Sequence, residues 1–155
     1  MKTNTHPSPP PRASRAGFTL VEILVVVAII SLLAGVVLLN VAPQLLMGKQ
    51  AAAKAQIQVF SSALDTYQLR HGSFPSQRQG LDALVRKPSA EPIPSDYPPA
   101  GYLKQRSLPL DPWGKPYVYL VPGRNGEPFE IVSYGADDEP GGSDANADVS
   151  SADPR

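Results

Sequence analysis

The stretch that decides the fold is Arg-Ala-Gly-Phe-Thr-Leu-Val-Glu, residues 15–22, which is followed by an apolar run over residues 23–39. Glu22 is the last charged residue before this run, and Ser31 is the only polar residue within it. A helix over residues 18–39 would be about 33 Å long, close to the hydrocarbon core of a bilayer at about 30 Å. The sequence therefore predicts a single transmembrane helix over residues 18–39.

The charges in front of this run are all positive. Lys2, Arg12 and Arg15 precede it with no acidic residue among them. Because basic residues favour the cytoplasmic side of a span, we expect the N-terminus inside and the following domain outside. A secretory signal peptide is an alternative, but its apolar core is about 7–15 residues long and ends at a small-residue site. A plain membrane anchor is another, and it leaves Glu22 unexplained, since intramembrane carboxylates are costly and usually functional.

The composition excludes several classes of protein. The 14 basic and 14 acidic residues balance, so the broad positive surface of a sequence-independent nucleic-acid binder is missing. The chain has no cysteine, which excludes disulfides, thiolate catalysis and cysteine-ligated metal sites. After residue 17 the only histidine is His71, and adjacent acids occur at residues 137–139 without an evident cleft. We therefore expect no enzymatic activity.

A second helical pattern follows the apolar run. Residues 44–70 carry apolar side chains at spacings of three and four, namely Ile57, Phe60, Leu64 and Tyr67. Such a stripe is typical of a helix face that packs on a domain. A basic final turn and Gly72 predict the end of the helix near residues 71–72. Pro43 should kink the helix or open it locally, because it removes one backbone donor.

The region after the helix is rich in proline and then forms strands. Residues 73–116 contain nine prolines, which predicts a long ordered loop with one short helix at residues 80–85. Alternating apolar residues predict strands at 117–121 and 129–133, joined by a turn containing glycine and asparagine. The expected fold class is α+β, with a small antiparallel sheet packed on the long helix.

The N-terminal motif resembles that of type IV pilins and pseudopilins: a basic leader, a glycine, and Phe-Thr-Leu-x-Glu opening a long apolar helix. The resemblance implies that a prepilin peptidase cuts between Gly17 and Phe18, removes the leader at residues 1–17 and methylates the new N-terminal Phe18. It also implies a role for Glu22 in assembly. In lipid, the amine of a neighbouring subunit's Phe18 could neutralise this carboxylate and fix the register between helices.

The second half resembles one branch of that superfamily, the major or G-type pseudopilins of type II secretion. The motifs that carry the resemblance are Ala63-Leu64-Asp65-x-Tyr67-x-Leu69, Phe74-Pro75, Gln79-Gly80-Leu81, Asp111-Pro112-Trp113-Gly114 and Ser133-Tyr134-Gly135-Ala136-Asp137. The implied fold is pilin-like. The implied function is a structural subunit that polymerises into a periplasmic pseudopilus driving secretion. We expect Trp113 to anchor a loop rather than to bind a ligand.

The acidic C-terminal region has two interpretations. Residues 137–153 carry six acids and no base, which by composition favours a solvated, disordered end. The alternative is a calcium loop over residues 134–149, because glycines let spaced carboxylates converge and calcium prefers hard oxygen ligands. The resemblance implies calcium bound by Asp137, Asp144 and Asp148, with backbone help near Tyr134. Which of Asp144, Asn146 and Asp148 are ligands stays open, and residues 150–155 are read as a tail.

The resemblance also implies partners and a location. These are identical subunits, minor pseudopilins, the inner-membrane secretion platform and the prepilin peptidase, with the chain crossing the bacterial inner membrane once and its C-terminal domain in the periplasm. One alternative is a type IV pilin of a surface or DNA-uptake filament. Another, from a different class, is a membrane-anchored periplasmic calcium-binding protein or enzyme that remains monomeric.

Overall fold

The computed structural model describes residues 17–153, apart from the side chains of residues 36–43. The leader predicted at residues 1–17 thus lies, except for its last residue, outside the described part. The chain divides into two compact units, Met1–Val41 and Ala42–Arg155. The regular elements in chain order are helix α1 (Leu20–His71), a 3-10 turn (Leu81–Leu84), strands β1 (Val118–Leu120) and β2 (Glu130–Ser133), a second 3-10 turn (Asp144–Asn146) and strand β3 (Val149–Ser150).

Among the helical residues described in full, no segment is both long enough and apolar enough to cross a membrane. The side chains of residues 36–43 are not described. This interval contains the end of the span predicted over residues 18–39 and the kink predicted at Pro43. Both remain predictions.

Both ends of α1 follow from local chemistry. Thr19 precedes the helix, and its Oγ1 accepts a hydrogen bond from the backbone N–H of Glu22 at 3.2 Å, which satisfies one of the free donors of the first turn. At the other end Gly72 has φ +78°, and its N–H donates to the Gln68 carbonyl at 2.7 Å. A glycine in this conformation closes a helix at little cost, so α1 ends at His71.

The core of the second unit lies along one face of α1. The predicted stripe is confirmed, since Ile57, Phe60, Leu64 and Tyr67 are all buried. The partners of this stripe come from the 3-10 turn, the sheet and the C-terminal strand, namely Leu81, Leu84, Tyr119, Ile131 and Val149. The Phe60 ring also meets the Tyr117 ring edge-on at 5.2 Å, a favourable arrangement for aromatic pairs.

The sheet has three antiparallel strands in the order β1-β2-β3. Tyr119 pairs with Ile131 between β1 and β2, and Val132 pairs with Ser150 between β2 and β3. The sequence predicted only the first two strands, at 117–121 and 129–133, each somewhat longer than observed. It placed Val149 in the acidic loop and Ser150 in the tail, whereas in the structure both residues belong to β3. Two residues are too few to show alternation, so β3 is specified by its pairing with β2.

The Asp-Pro-Trp-Gly motif forms a turn that braces the long loop. The Asp111 carboxylate accepts the N–H groups of Trp113 and Lys115 at 3.0 and 2.7 Å, and its second oxygen accepts the Ser133 hydroxyl of β2. Gly114 supplies the positive φ, +85°, that the turn requires. The half-buried Trp113 ring packs against the core, as expected of a loop anchor.

Candidate assembly segment and acidic loop

The first candidate site is the assembly segment, residues 18–35. Its large apolar side chains, from Phe18 to Leu33, are each at least 46% exposed. Glu22 is the only charged residue in the segment, and its side chain is exposed as well. Gly17, where cleavage is predicted, is exposed beside Phe18. An apolar surface on all sides of a helix needs an apolar environment, which a bilayer or packed neighbouring helices supply.

The structure shows a local function for the residues around Glu22 that sequence analysis missed. Thr19 and Glu22 have the Thr-x-x-Glu spacing of a capping box, and the hydrogen bond from Glu22 N–H to Thr19 Oγ1 is the first half of that motif. The spacing alone could have revealed it. A carboxylate in the first turn is also stabilised by the helix dipole, so Glu22 favours the start of α1 regardless of any role in assembly.

The second candidate site is the acidic loop, residues 134–148, which ends before Val149 of β3. Its two sides run close together, because the Ala136 N–H donates to the Ala145 carbonyl at 3.1 Å. Gly135 has φ +70°, and a Cβ at this position would lie 3.0 Å from the Ala145 carbonyl oxygen and 3.1 Å from that of Ala147. Gly135 is therefore required by both its conformation and this close approach of two carbonyl oxygens.

The three predicted carboxylate ligands lie on both sides of the acidic loop. Asp137 Oδ1 accepts the Glu139 N–H at 3.3 Å, and Asp148 Oδ1 accepts the Gly141 N–H at 3.0 Å. Asp144 adopts φ +53°, and its side chain is exposed. Across the part of the chain that is described, no three acidic or histidine side chains form a cluster suited to a metal ion. Asp137, Asp144 and Asp148 therefore belong to one loop, but their side chains are not gathered at one point.

The chemistry of the donor set nevertheless fits calcium. The loop offers only oxygen ligands: the three aspartates, the half-buried Tyr134 region and the carbonyls of Ala145 and Ala147 around Gly135. Calcium accepts a mixed set of carboxylates, backbone carbonyls and waters in flexible geometry, so not every ligand has to be a carboxylate.

An ion pair between a buried glutamate and an exposed arginine fixes the C-terminal end of the acidic loop. Glu130 in β2 is 1% exposed and accepts hydrogen bonds from Arg124, whose Nη2 lies 2.6 Å from Oε1. The Ser150 hydroxyl of β3 donates to the same carboxylate at 2.7 Å. The hydrogen bonds from Arg124 lower the pKa of Glu130 to about 2. Arg124 Nη1 also lies 3.9 Å from Asp148 Oδ2, which connects the pair to the acidic loop. No periodic pattern in the sequence indicates this pair, because a turn brings Arg124 and Glu130 together.

His71 belongs to a packed aromatic cluster at the end of α1. Its Nε2 lies 2.6 Å from the Tyr102 hydroxyl, and its ring packs edge-on against Tyr67 at 4.4 Å. Burial lowers the pKa of His71. Tyr102 and Tyr97 come from the proline-rich loop, and their rings pack edge-on at 5.6 Å. The aromatic side chains therefore pin that loop to α1, and His71 serves packing.

Comparison with known proteins decides the family. A family model described as type II secretion system (T2SS), protein G, matches residues 40–152, and a prokaryotic N-terminal methylation motif matches residues 12–38. The chain belongs to the protein G family of the type II secretion system. It is 47% identical over 138 residues to the type II secretion system core protein G of Pseudomonas aeruginosa, a match that covers 89% of this chain and 95% of the relative. It is 41% identical to the core protein G of Vibrio cholerae, covering 87% and 90%.

A solved structure of a protein G relative supports the same assignment. The major pseudopilin of the type 2 secretion system of enterohaemorrhagic Escherichia coli is 35% identical and superposes with a TM-score of 0.58, covering 68% of this chain and 87% of the relative. The predicted pilin-like α+β fold is confirmed. The chain is a structural pseudopilin of type II secretion and takes part in pseudopilus assembly with other components of that system. The family assignment also confirms that it is not an enzyme, and it removes the type IV pilin and the monomeric anchor as alternatives.

Proposed function

We propose that this protein G family member is cut between Gly17 and Phe18, remains anchored in the bacterial inner membrane by residues 18–39, and polymerises into a periplasmic pseudopilus. The observation that carries the proposal is the exposed apolar surface of the assembly segment, in which Glu22 is the only charged residue. Its partners would be identical subunits, minor pseudopilins, the inner-membrane platform and the prepilin peptidase. The methylation motif over residues 12–38 supports the cleavage, because it brackets Gly17 and Phe18.

The position of Glu22 supports side-by-side packing of the first helices. A carboxylate four residues after Phe18 lies about one helical turn into the apolar segment. Burying it unpaired in lipid is costly, whereas a positive amine on a neighbouring subunit offsets that cost. Cleavage before Phe18 creates such an amine. Processing and assembly are therefore linked in this proposal by one charge pair.

Mass spectrometry of the purified full-length protein tests the processing step. In a host with the prepilin peptidase, the mature chain should begin at a methylated Phe18. Gly17→Asp should leave an uncut precursor. Gly48→Asp is the matched control, because Gly48 is exposed on α1 with open space around it and should not affect cleavage. An intact leader on the wild-type chain would contradict the proposal.

We further propose that the acidic loop binds calcium through Asp137, Asp144 and Asp148 with backbone carbonyls, including the region of Tyr134. The support is the oxygen-only donor set and the close approach of the Ala145 and Ala147 carbonyls to Gly135. A ligand that binds only the folded state stabilises it by about 2.7 kcal/mol at a hundredfold excess over Kd. Bound calcium would order a domain that has no disulfides.

Thermal melting of the full-length protein in detergent micelles tests the calcium site. Chelation should lower the melting temperature, and Asp137→Ala should remove the difference between calcium and chelator. Asp65→Ala, at an exposed aspartate of α1, is the control and should keep the full calcium response. Magnesium should replace calcium poorly, because it is smaller and demands tighter octahedral geometry. Identical melting curves with calcium and with chelator would reject the site.

A further inference from the structure

We propose that Gln50 of α1 is a positioning residue for the acidic loop, and that it couples calcium binding in the loop to the turns of α1 around residue 50. The inference rests on the calcium site proposed above. The observation behind it is one hydrogen bond between residues far apart in sequence: Gln50 Nε2 donates to the Asp144 carbonyl at 2.8 Å.

The bond joins α1 to a strained part of the loop. Asp144 opens the second 3-10 turn and adopts φ +53°, a conformation that residues with a side chain rarely adopt without support. Its carbonyl also accepts the Ala147 N–H at 3.3 Å. The carbonyl of Asp144 is thus held from two sides, once by the loop and once by α1.

A second attachment to α1 lies just beyond the loop. Val149 is buried in the core with Ala53 and Ile57 of α1, so the C-terminal end of the loop is fixed to the helix. Gln50 and Ala53 are three residues apart and lie on neighbouring positions of one helix face. Between these attachments, α1 and the loop flank one surface cleft of about 360 Å³ lined by Met47, Gln50, Ala51, Lys54, Asp148, Val149 and Asp153.

The attachment at Val149 is a buried apolar contact, whereas that at Gln50 is a solvent-exposed hydrogen bond that can open. When this hydrogen bond is formed, Asp144 and the following residues are already ordered, so calcium binding costs less free energy for ordering the loop. The apparent affinity of a site is its intrinsic affinity multiplied by the fraction of molecules that are already in the binding-competent conformation. By reciprocity, bound calcium must strengthen the contact of the loop with Gln50 by the same factor.

Calorimetric titration of the full-length protein in micelles with calcium chloride tests the coupling. Gln50→Leu removes the donor while keeping a similar helix propensity, and Gln58→Leu makes the same change at an exposed position of α1. We expect Gln50→Leu to weaken calcium binding by about two- to tenfold, the range that corresponds to one ordinary hydrogen bond. Gln58→Leu should leave the affinity unchanged.

Hydrogen exchange supplies a readout that a merely structural role would not move. Calcium should slow amide exchange in α1 around Gln50 in the wild type and in Gln58→Leu, and should have no such effect in Gln50→Leu. If Gln50→Leu does not fold, Gln50→Asn keeps an amide on a side chain too short to reach Asp144 and should give the same loss. Unchanged affinity and unchanged exchange in the Gln50 variants would overturn the inference while the calcium site stands. A wild-type chain that binds no calcium would reject both.

Discussion

The two halves of α1 share one helical backbone and differ in what their side chains contact. Over residues 20–35 every large apolar side chain is exposed, whereas over residues 53–67 those at intervals of three and four are buried. The second half carries polar residues between its apolar ones and packs on its own domain. The first half is apolar all round, a pattern that a small domain cannot cover. The apolar residues of the first half lack the spacing of three and four that those of the second half have. This difference in spacing marks which part of α1 packs on its own domain.

The contrast predicts that substitutions in the two halves of α1 impair different properties of the subunit. A substitution in the buried stripe removes contacts within the subunit and lowers its stability. A substitution in the assembly segment leaves the folded domain intact and alters what the subunit joins. Matched substitutions in the two halves separate these outcomes.

The largest effect is expected from Glu22→Val, which should abolish pseudopilus assembly. The variant makes the segment more apolar, so membrane insertion and cleavage after Gly17 should continue while the charge that sets the register is lost. Secretion in a strain lacking the native gene and crosslinking between subunits provide the measurements.

Thr19→Val is the control for Glu22→Val, because Thr19 caps α1 through the N–H of Glu22. Loss of the cap costs about 0.5–2 kcal/mol of helix stability and leaves the carboxylate in place. Assembly should therefore persist in Thr19→Val. If both variants lose assembly equally, Glu22 acts through the start of the helix and not through an intersubunit charge pair.

The next largest effect is expected on the stability of the domain, when the same substitution is made in each half of α1. Leu64 is fully buried, and Leu33 is 60% exposed. Leu64→Ala should destabilise the domain by about 2–5 kcal/mol, because it leaves a cavity in the core. Leu33→Ala should leave the unfolding midpoint of the domain unchanged. Urea denaturation in micelles, followed by the fluorescence of the single tryptophan, Trp113, measures both. Equal losses would mean that the assembly segment also contributes to the stability of the domain.

Much of the fold could be predicted from the sequence, because local patterns specify it. The apolar stripe of α1 repeats over several turns, and the end of the helix at Gly72 follows from a conformation that glycine adopts easily. The loop anchor Trp113 follows from its bulk. These features depend on neighbouring residues, so the linear pattern suffices.

The rest depends on contacts between residues far apart in the chain. Strand β3 is two residues long and exists through its pairing with β2. The Gln50 contact spans 94 positions, and the hydrogen bond from Ser150 to Glu130 spans 20. None of these leaves a periodic signal. The ligands of the acidic loop could not be predicted for the same reason, since spacing shows which aspartates are available but not which of them converge.

The smallest effect concerns a carboxylate buried far from the assembly segment. Glu130→Gln keeps the shape of the side chain and removes the charge that Arg124 and Ser150 bind. We expect a loss of about 1.5–3 kcal/mol, the range for hydrogen bonds to charged groups. In the wild type, the pKa of Glu130 falls from 4.5 to about 2 on folding, so its contribution is complete above about pH 5 and is lost as the pH falls towards 2. Urea denaturation between pH 7 and pH 3 in calcium-free buffer should show that the free energy of unfolding declines less steeply with falling pH for Glu130→Gln than for the wild type.

The control for Glu130→Gln is Asp96→Asn, which makes the same change in the exposed pair of Asp96 with Arg70. The side chains of Arg70 and Asp96 are 44% and 76% exposed, so solvent screens their charges. Asp96→Asn should have almost no effect at neutral pH, and a loss as large as that of Glu130→Gln would show that burial is not what makes the Glu130 pair matter.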